Sequence, residues 1–160
     1  MQTSLLGTWK LLRWTVYDSN SETISEPFGT SPQGLLVYTQ EGWMSAAISR
    51  SNRALFPAQK SLRSLEPSLL ADAYTSYFHY AGPFSVGEKS VTHTVAMSHN
   101  PNFVGTQQVR QFAFSEDELA LSGEEIFGQQ RRKHQLRWQR IASHQGVEAF
   151  GHTGAAGKVG

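Results

Sequence analysis

Three polar side chains stand out because each sits on the apolar side of an alternating segment. His93 shares a face with Val91, Val95 and Met97, Arg110 with Gln108, Phe112 and Phe114, and Tyr38 with Leu36, Met44 and Ala46. Successive side chains of a strand point to opposite sides, so alternation turns all of them inward. An inward imidazole or guanidinium must find a partner or cost stability. His93 is either a core histidine satisfied by a neighbour or an acid/base group, since imidazole exchanges protons near neutral pH. No acidic residue is placed to meet Arg110, because Glu116, Asp117, Glu124 and Glu125 fall in or near turns. Its partner is then a backbone or mouth-facing group, or an oxygen of a bound molecule. Read as a reacting set, His93 moves a proton while Arg110 and Tyr38 hold an oxygen on which charge develops. Leu36, Met44, Ala46, Val95, Met97, Gln108, Phe112 and Trp138 would form the wall around that molecule, a mostly apolar lining with a few polar groups.

The elements that must position these residues are short alternating strands. One runs over 8–17. A second at 34–39 turns at Gln40-Glu41-Gly42 into a third at 43–50, pairing Thr39 with Trp43. Further strands fall at 83–86, 90–98, 106–115, around Leu119 and Leu121, and at 133–141. Trp9, Leu121 and Trp138 should face in, and Thr92, Thr94, Gln135 and Arg137 out. A helix is predicted over 67–81, opened by Pro67 and ended by Gly82-Pro83, with Leu70, Tyr74, Tyr77, Phe78 and Ala81 as its packed stripe. The fold class that follows is mainly β: an antiparallel up-and-down barrel of about eight strands with one main α-helix. Eight closed strands leave room inside for side chains or one small ligand.

Composition narrows the function classes. The 160 residues suit one domain, expected over 1–142, with a Gly-rich tail at 143–160. That tail is expected to lie on the barrel or a neighbouring subunit, which makes a homodimer a reasonable expectation. A formal charge of +1 offers little attraction for nucleic acid or an anionic membrane. Without cysteine there is no disulfide and no thiolate chemistry. No leader or membrane-length apolar run is evident, so the expected location is cytoplasmic. The six histidines show no metal spacing; His93 and His99 would lie about 20 Å apart along a strand. Phosphate-loop and serine-elbow motifs are lacking as well, so neither metal nor cofactor is expected.

Gly7-Thr8-Trp9 resembles the Gly-x-Trp signature that opens lipocalins, and Arg140 matches the family's late arginine that lies across the indole. Three further stretches resemble the intracellular lipocalin-like domain family of the calycin superfamily: Gly34 to Ala46, Tyr77 to Phe84, and Asn100 to Arg110. The resemblance spans residues 5–142. It implies a barrel around a small, apolar or amphipathic molecule. Some such proteins act as cofactor-free isomerases or cyclases in the biosynthesis of secondary metabolites, and others carry or sense a ligand. Both readings stay open here, as does a site built from Tyr74, Tyr77 and the loop 100–104.

Overall fold

The computed structural model describes residues 2–142; the tail at 143–160, with the packing expected of it, lies outside them. A short helix, α1 (Gln2–Leu5), precedes β1 (Gly7–Asp18), β2 (Thr23–Ser25), β3 (Gln33–Tyr38) and β4 (Trp43–Ser49). Then come α2 (Pro67–Thr75), β5 (Tyr77–Val86), β6 (Ser90–Thr94) and β7 (Met97–Ser98). The chain continues through β8 (Gln107–Ser115), β9 (Glu118–Phe127) and β10 (Gln130–Arg140). The strands pair antiparallel in the order β1-β3-β4-β5-β6-β8-β9-β10, and β10 closes on β1. The result is an eight-stranded up-and-down barrel without long free edges. Short β2 adds to β1, and short β7 adds to β5.

The expected turn at 40–42 forms as read, with Thr39 N–H donating to Trp43 O at 2.9 Å. Burial alternates along β3 and β4, which places Leu36, Tyr38, Met44, Ala46 and Ile48 in the core. In β1 an irregularity between Leu11 and Arg13 inserts one extra residue. Parity therefore changes there: Trp9 and Leu11 face in before it, and Val16 is buried after it.

Two expectations need correction. The helix ends at Thr75, and Tyr77–Ala81 belong to β5 instead. Spacing alone fits both, because Tyr74, Tyr77, Phe78 and Ala81 satisfy a helical stripe while Phe78, Tyr80, Gly82 and Phe84 satisfy strand alternation. The strand prevails because it pairs along its length with β4, from Ser49–Tyr77 to Trp43–Pro83. Pro83 is tolerated inside a strand for a local reason. β5 pairs with β7 at Tyr80 and Ala81 and with β6 at 84–86, so no ladder hydrogen bond is asked of residue 83 on that side. Within α2 the half-buried residues are Leu69 and Ala73, whereas Leu70 and Tyr74 are exposed.

The second correction is Met97. It was expected inside, but the strand breaks at Val95-Ala96. Val95 N–H bonds to Thr106 O at 2.9 Å and Ala96 N–H to Ala81 O at 2.9 Å, so the chain changes partner. Val95 keeps the inward parity of His93 and is 2% exposed; Met97, beyond the break, is 59% exposed.

Candidate functional site

One end of the barrel is sealed. The Trp9 indole is 1% exposed and donates from Nε1 to Leu5 O at 2.9 Å. The Arg140 guanidinium lies 4.0 Å from the centre of that ring. Its Nη1 and Nη2 donate to Leu6 O at 2.9 Å and Ser4 O at 2.6 Å, which ties α1 under the barrel. A cation stacked on indole and hydrogen-bonded to two backbone carbonyls is a structural plug.

Above the plug lies a cavity of about 430 Å³. Its wall is mostly apolar, with Leu36, Ala46, Ile48, Phe78, Leu136 and Trp138 contributing from four strands. Set into it are Tyr80, His93, Gln108 and Arg110, while Asn100, Glu124 and Glu125 also line it at partly or fully exposed positions. An apolar chamber of this size with a few converging polar groups is the usual form of a small-molecule site. Of the expected wall residues, Leu36, Ala46, Gln108 and Trp138 line the cavity. Met44 and Val95 are buried but do not line it, and Phe112 is partly buried against the same core. From the alternative site, Asn100 and Phe103 share this chamber, while Tyr74 and Tyr77 do not line it and pack against His99, one tilted and one edge-on.

His93 is the centre of a three-residue chain. It is 1% exposed, with Tyr38 Oη 2.7 Å from Nε2 and Tyr80 Oη 2.7 Å from Nδ1. The Tyr38–His93 bond crosses the barrel interior, because β3 and β6 are not neighbours. Both ring nitrogens are therefore occupied by phenols. Burial, reinforced by the Arg110 charge, pushes the His93 pKa down to about 3, so the ring is neutral near pH 7. Burial pushes both tyrosine hydroxyls up from their ordinary range, Tyr38 the more strongly.

Arg110 has no carboxylate within 4.0 Å among the described residues. Its Nη2 donates to Gln108 Oε1 at 3.2 Å and its Nη1 to the Val109 carbonyl at 3.0 Å. The guanidinium lies close over Gly123, where an added Cβ would come within 2.6 Å of Nη1. Gln108 in turn donates to Thr106 Oγ1 at 2.9 Å. Arg110 is thus held by neutral acceptors only.

A second chain lies on the same wall. Trp14 Nε1 donates to His134 Nδ1 at 3.3 Å, and His134 Nε2 faces Glu125 Oε2 at 3.2 Å. An indole N–H can only donate, so Nδ1 is bare and the His134 proton sits on Nε2. Sequence reasoning gave no role to Tyr80, Trp14, His134 or Glu125. Alternation put His134 on the inward face of Trp138, and that signal was available. Tyr80 was concealed by the helical reading of its segment.

A family model described as a lipocalin-like domain matches residues 6–141. The chain belongs to the lipocalin-like domain family. Comparison with curated proteins finds no match. No helix among the described residues is long and apolar enough to cross a membrane.

Proposed function

We propose that the barrel binds a small, largely apolar molecule bearing a carbonyl, carboxylate or hydroxyl, and isomerises or cyclises it without a redox change. The observation that carries this reading is the 430 Å³ apolar chamber in which the cation of Arg110 meets no carboxylate among the described residues. The polar end of the ligand lies beside Arg110 and Gln108. Arg110 stabilises an oxygen on which negative charge develops as a proton leaves carbon or a ring closes. Both steps conserve atoms and electrons. Because both nitrogens of His93 are bonded to phenols, any proton it exchanges with the ligand passes through the Tyr80 hydroxyl.

The same geometry favours a second reading, a carrier or sensor. A histidine pushed down to about 3 and bonded on both sides is a poor proton acceptor at neutral pH. The two readings separate in one experiment. Ligands are captured from cell extracts by native mass spectrometry. Each is then incubated with wild type, His93→Ala and Arg110→Met, and both binding and conversion are followed. An enzyme loses turnover at His93 far more than affinity. A ligand that wild type holds but never changes makes the barrel a carrier.

A further inference from the structure

We infer that the bound molecule presents an acceptor-only, anionic oxygen group, of the carboxylate or enolate kind, and that Tyr80 donates a hydrogen bond to it. This deepens the small-molecule reading above and rests on it. The argument is a count of hydrogens. Tyr38, neutral His93 and Tyr80 carry three polar hydrogens, two on hydroxyls and one on the ring. Their two contacts, each 2.7 Å, use two of the three. One hydroxyl hydrogen is left over, and the tautomer of His93 decides whose it is.

With the ring proton on Nε2, His93 donates to Tyr38, and the spare hydrogen belongs to Tyr38. Tyr38 is 2% exposed and its hydroxyl has His93 as its hydrogen-bond partner, so the hydrogen would be buried with no acceptor among the described residues. With the ring proton on Nδ1, the chain runs from Tyr38 to Nε2 and from Nδ1 to Tyr80. The spare hydrogen then belongs to Tyr80, which lines the cavity where Tyr38 does not. The second arrangement leaves no hydroxyl stranded once a ligand oxygen is present.

Two other groups point the same way. The Trp138 indole N–H is buried with no hydrogen-bond partner among the described residues, and Trp138 lines this cavity. An indole nitrogen can only donate, as can the guanidinium of Arg110. Tyr80 and Arg110 therefore offer donors to one chamber, and the Trp138 N–H lies buried in a residue of the same wall. Its two acids sit at exposed positions and each already faces a basic side chain, Glu124 that of Arg131 at 4.0 Å and Glu125 that of His134, on the same wall, at 3.2 Å. A ligand ammonium would leave these donors unmatched, whereas an anionic oxygen meets them with charge-assisted bonds. Tyr38 and His93 are positioning residues that act through Tyr80.

The test has two readouts. Nitrogen-15 NMR of histidine-labelled protein without ligand reads the tautomer, with His93→Gln identifying the signals. The expected result is Nδ1 protonated and Nε2 bare. Binding is read by displacement of the fluorescent probe 8-anilino-1-naphthalenesulfonate with decanoate and decylamine, two ten-carbon chains that differ in their polar end. Wild type should favour decanoate at least tenfold, and Tyr80→Phe should cut decanoate affinity about tenfold or more, the loss of one hydrogen bond to a charged group. Tyr38→Phe should keep the barrel folded, weaken decanoate less, and change the His93 nitrogen shifts. A wild-type His93 protonated on Nε2 overturns the inference, and so does equal displacement by the two chains. A barrel that takes up neither the probe nor either chain overturns the small-molecule reading and this inference together.

Discussion

At the scale of single residues, the site turns on a cation held by neutral groups. Arg110 leans on the carbonyl of Val109 and the amide of Gln108 and crosses Gly123. Replacing Arg110 with Met keeps much of the packing and removes the charge. Turnover of a converted ligand should fall about 100-fold to 1,000-fold, the usual loss for one oxyanion-stabilising donor. Steady-state kinetics checks this, and an unchanged kcat removes Arg110 from the chemistry. Gly123→Ala probes the same group from behind. Its new Cβ would come within 2.6 Å of Arg110 Nη1, the far end of a flexible side chain. The arginine should move and the fold should not. Ligand affinity should drop with less than about 1 kcal/mol lost in urea unfolding. A variant that binds as wild type does would show that the position of Arg110 is immaterial. Much of this was legible in sequence: alternation alone put Tyr38, His93 and Arg110 inside. The partner of His93 was not, because the Tyr38 contact crosses the barrel and no local pattern encodes it. Tyr80 was lost for a different reason, since Tyr74, Tyr77, Phe78 and Ala81 around it also fit a helical stripe that leaves it out.

At the scale of elements, strand identity was readable wherever one face is polar, as in β10, where Gln135 and Arg137 are exposed and Trp138 is buried. It failed where the ladder is irregular. β5 contains a glycine and a proline, which read as a helix stop, yet both serve the gap between β6 and β7. At Gly82 the backbone of 94–96 crosses so closely that an added Cβ would sit 1.9 Å from Thr94 O and 2.8 Å from Ala96 N. The obstacle is backbone, which cannot rotate away. The same crossing ends β6 and turns Met97 outward, so one local feature explains both the misread strand and the misplaced methionine. Gly82→Ala should therefore destabilise the barrel by about 3 kcal/mol or more, at the upper end of overpacking. That corresponds to a fall in Tm of roughly 6–12 °C for a chain of this size. Thermal unfolding followed by circular dichroism measures it, and a shift under about 2 °C would show that the crossing has slack.

For the whole molecule, closure, plug and chamber make one core, and that core is built around neutral imidazole. Unfolded, His93 titrates near 6.5; folded, its pKa is about 3. Between those values the unfolded chain binds the extra proton. Stability is then full above about pH 6.5 and declines as pH falls toward 3. With His93 1% exposed, the full decline is on the order of 5 kcal/mol. His134 works in the same direction. Burial lowers its pKa against the opposing pull of Glu125, and protonating Nδ1 would set it against the Trp14 N–H. His79 is also lowered, by burial and then by His99. The lowered carboxyl of Asp18 has a separate window: its contribution is present above 3.8 and is lost only as pH falls below that value. Between pH 7 and pH 4, histidine burial therefore dominates the slope. Urea unfolding repeated across that range should show a steady loss of stability in wild type. His93→Gln removes the titrating group while offering the tyrosines an amide, so its curve should be flatter even if its stability at pH 7 is lower. A wild-type curve that stays level down to pH 4, or a variant whose slope matches wild type, would mean that His93 is not held neutral by the fold.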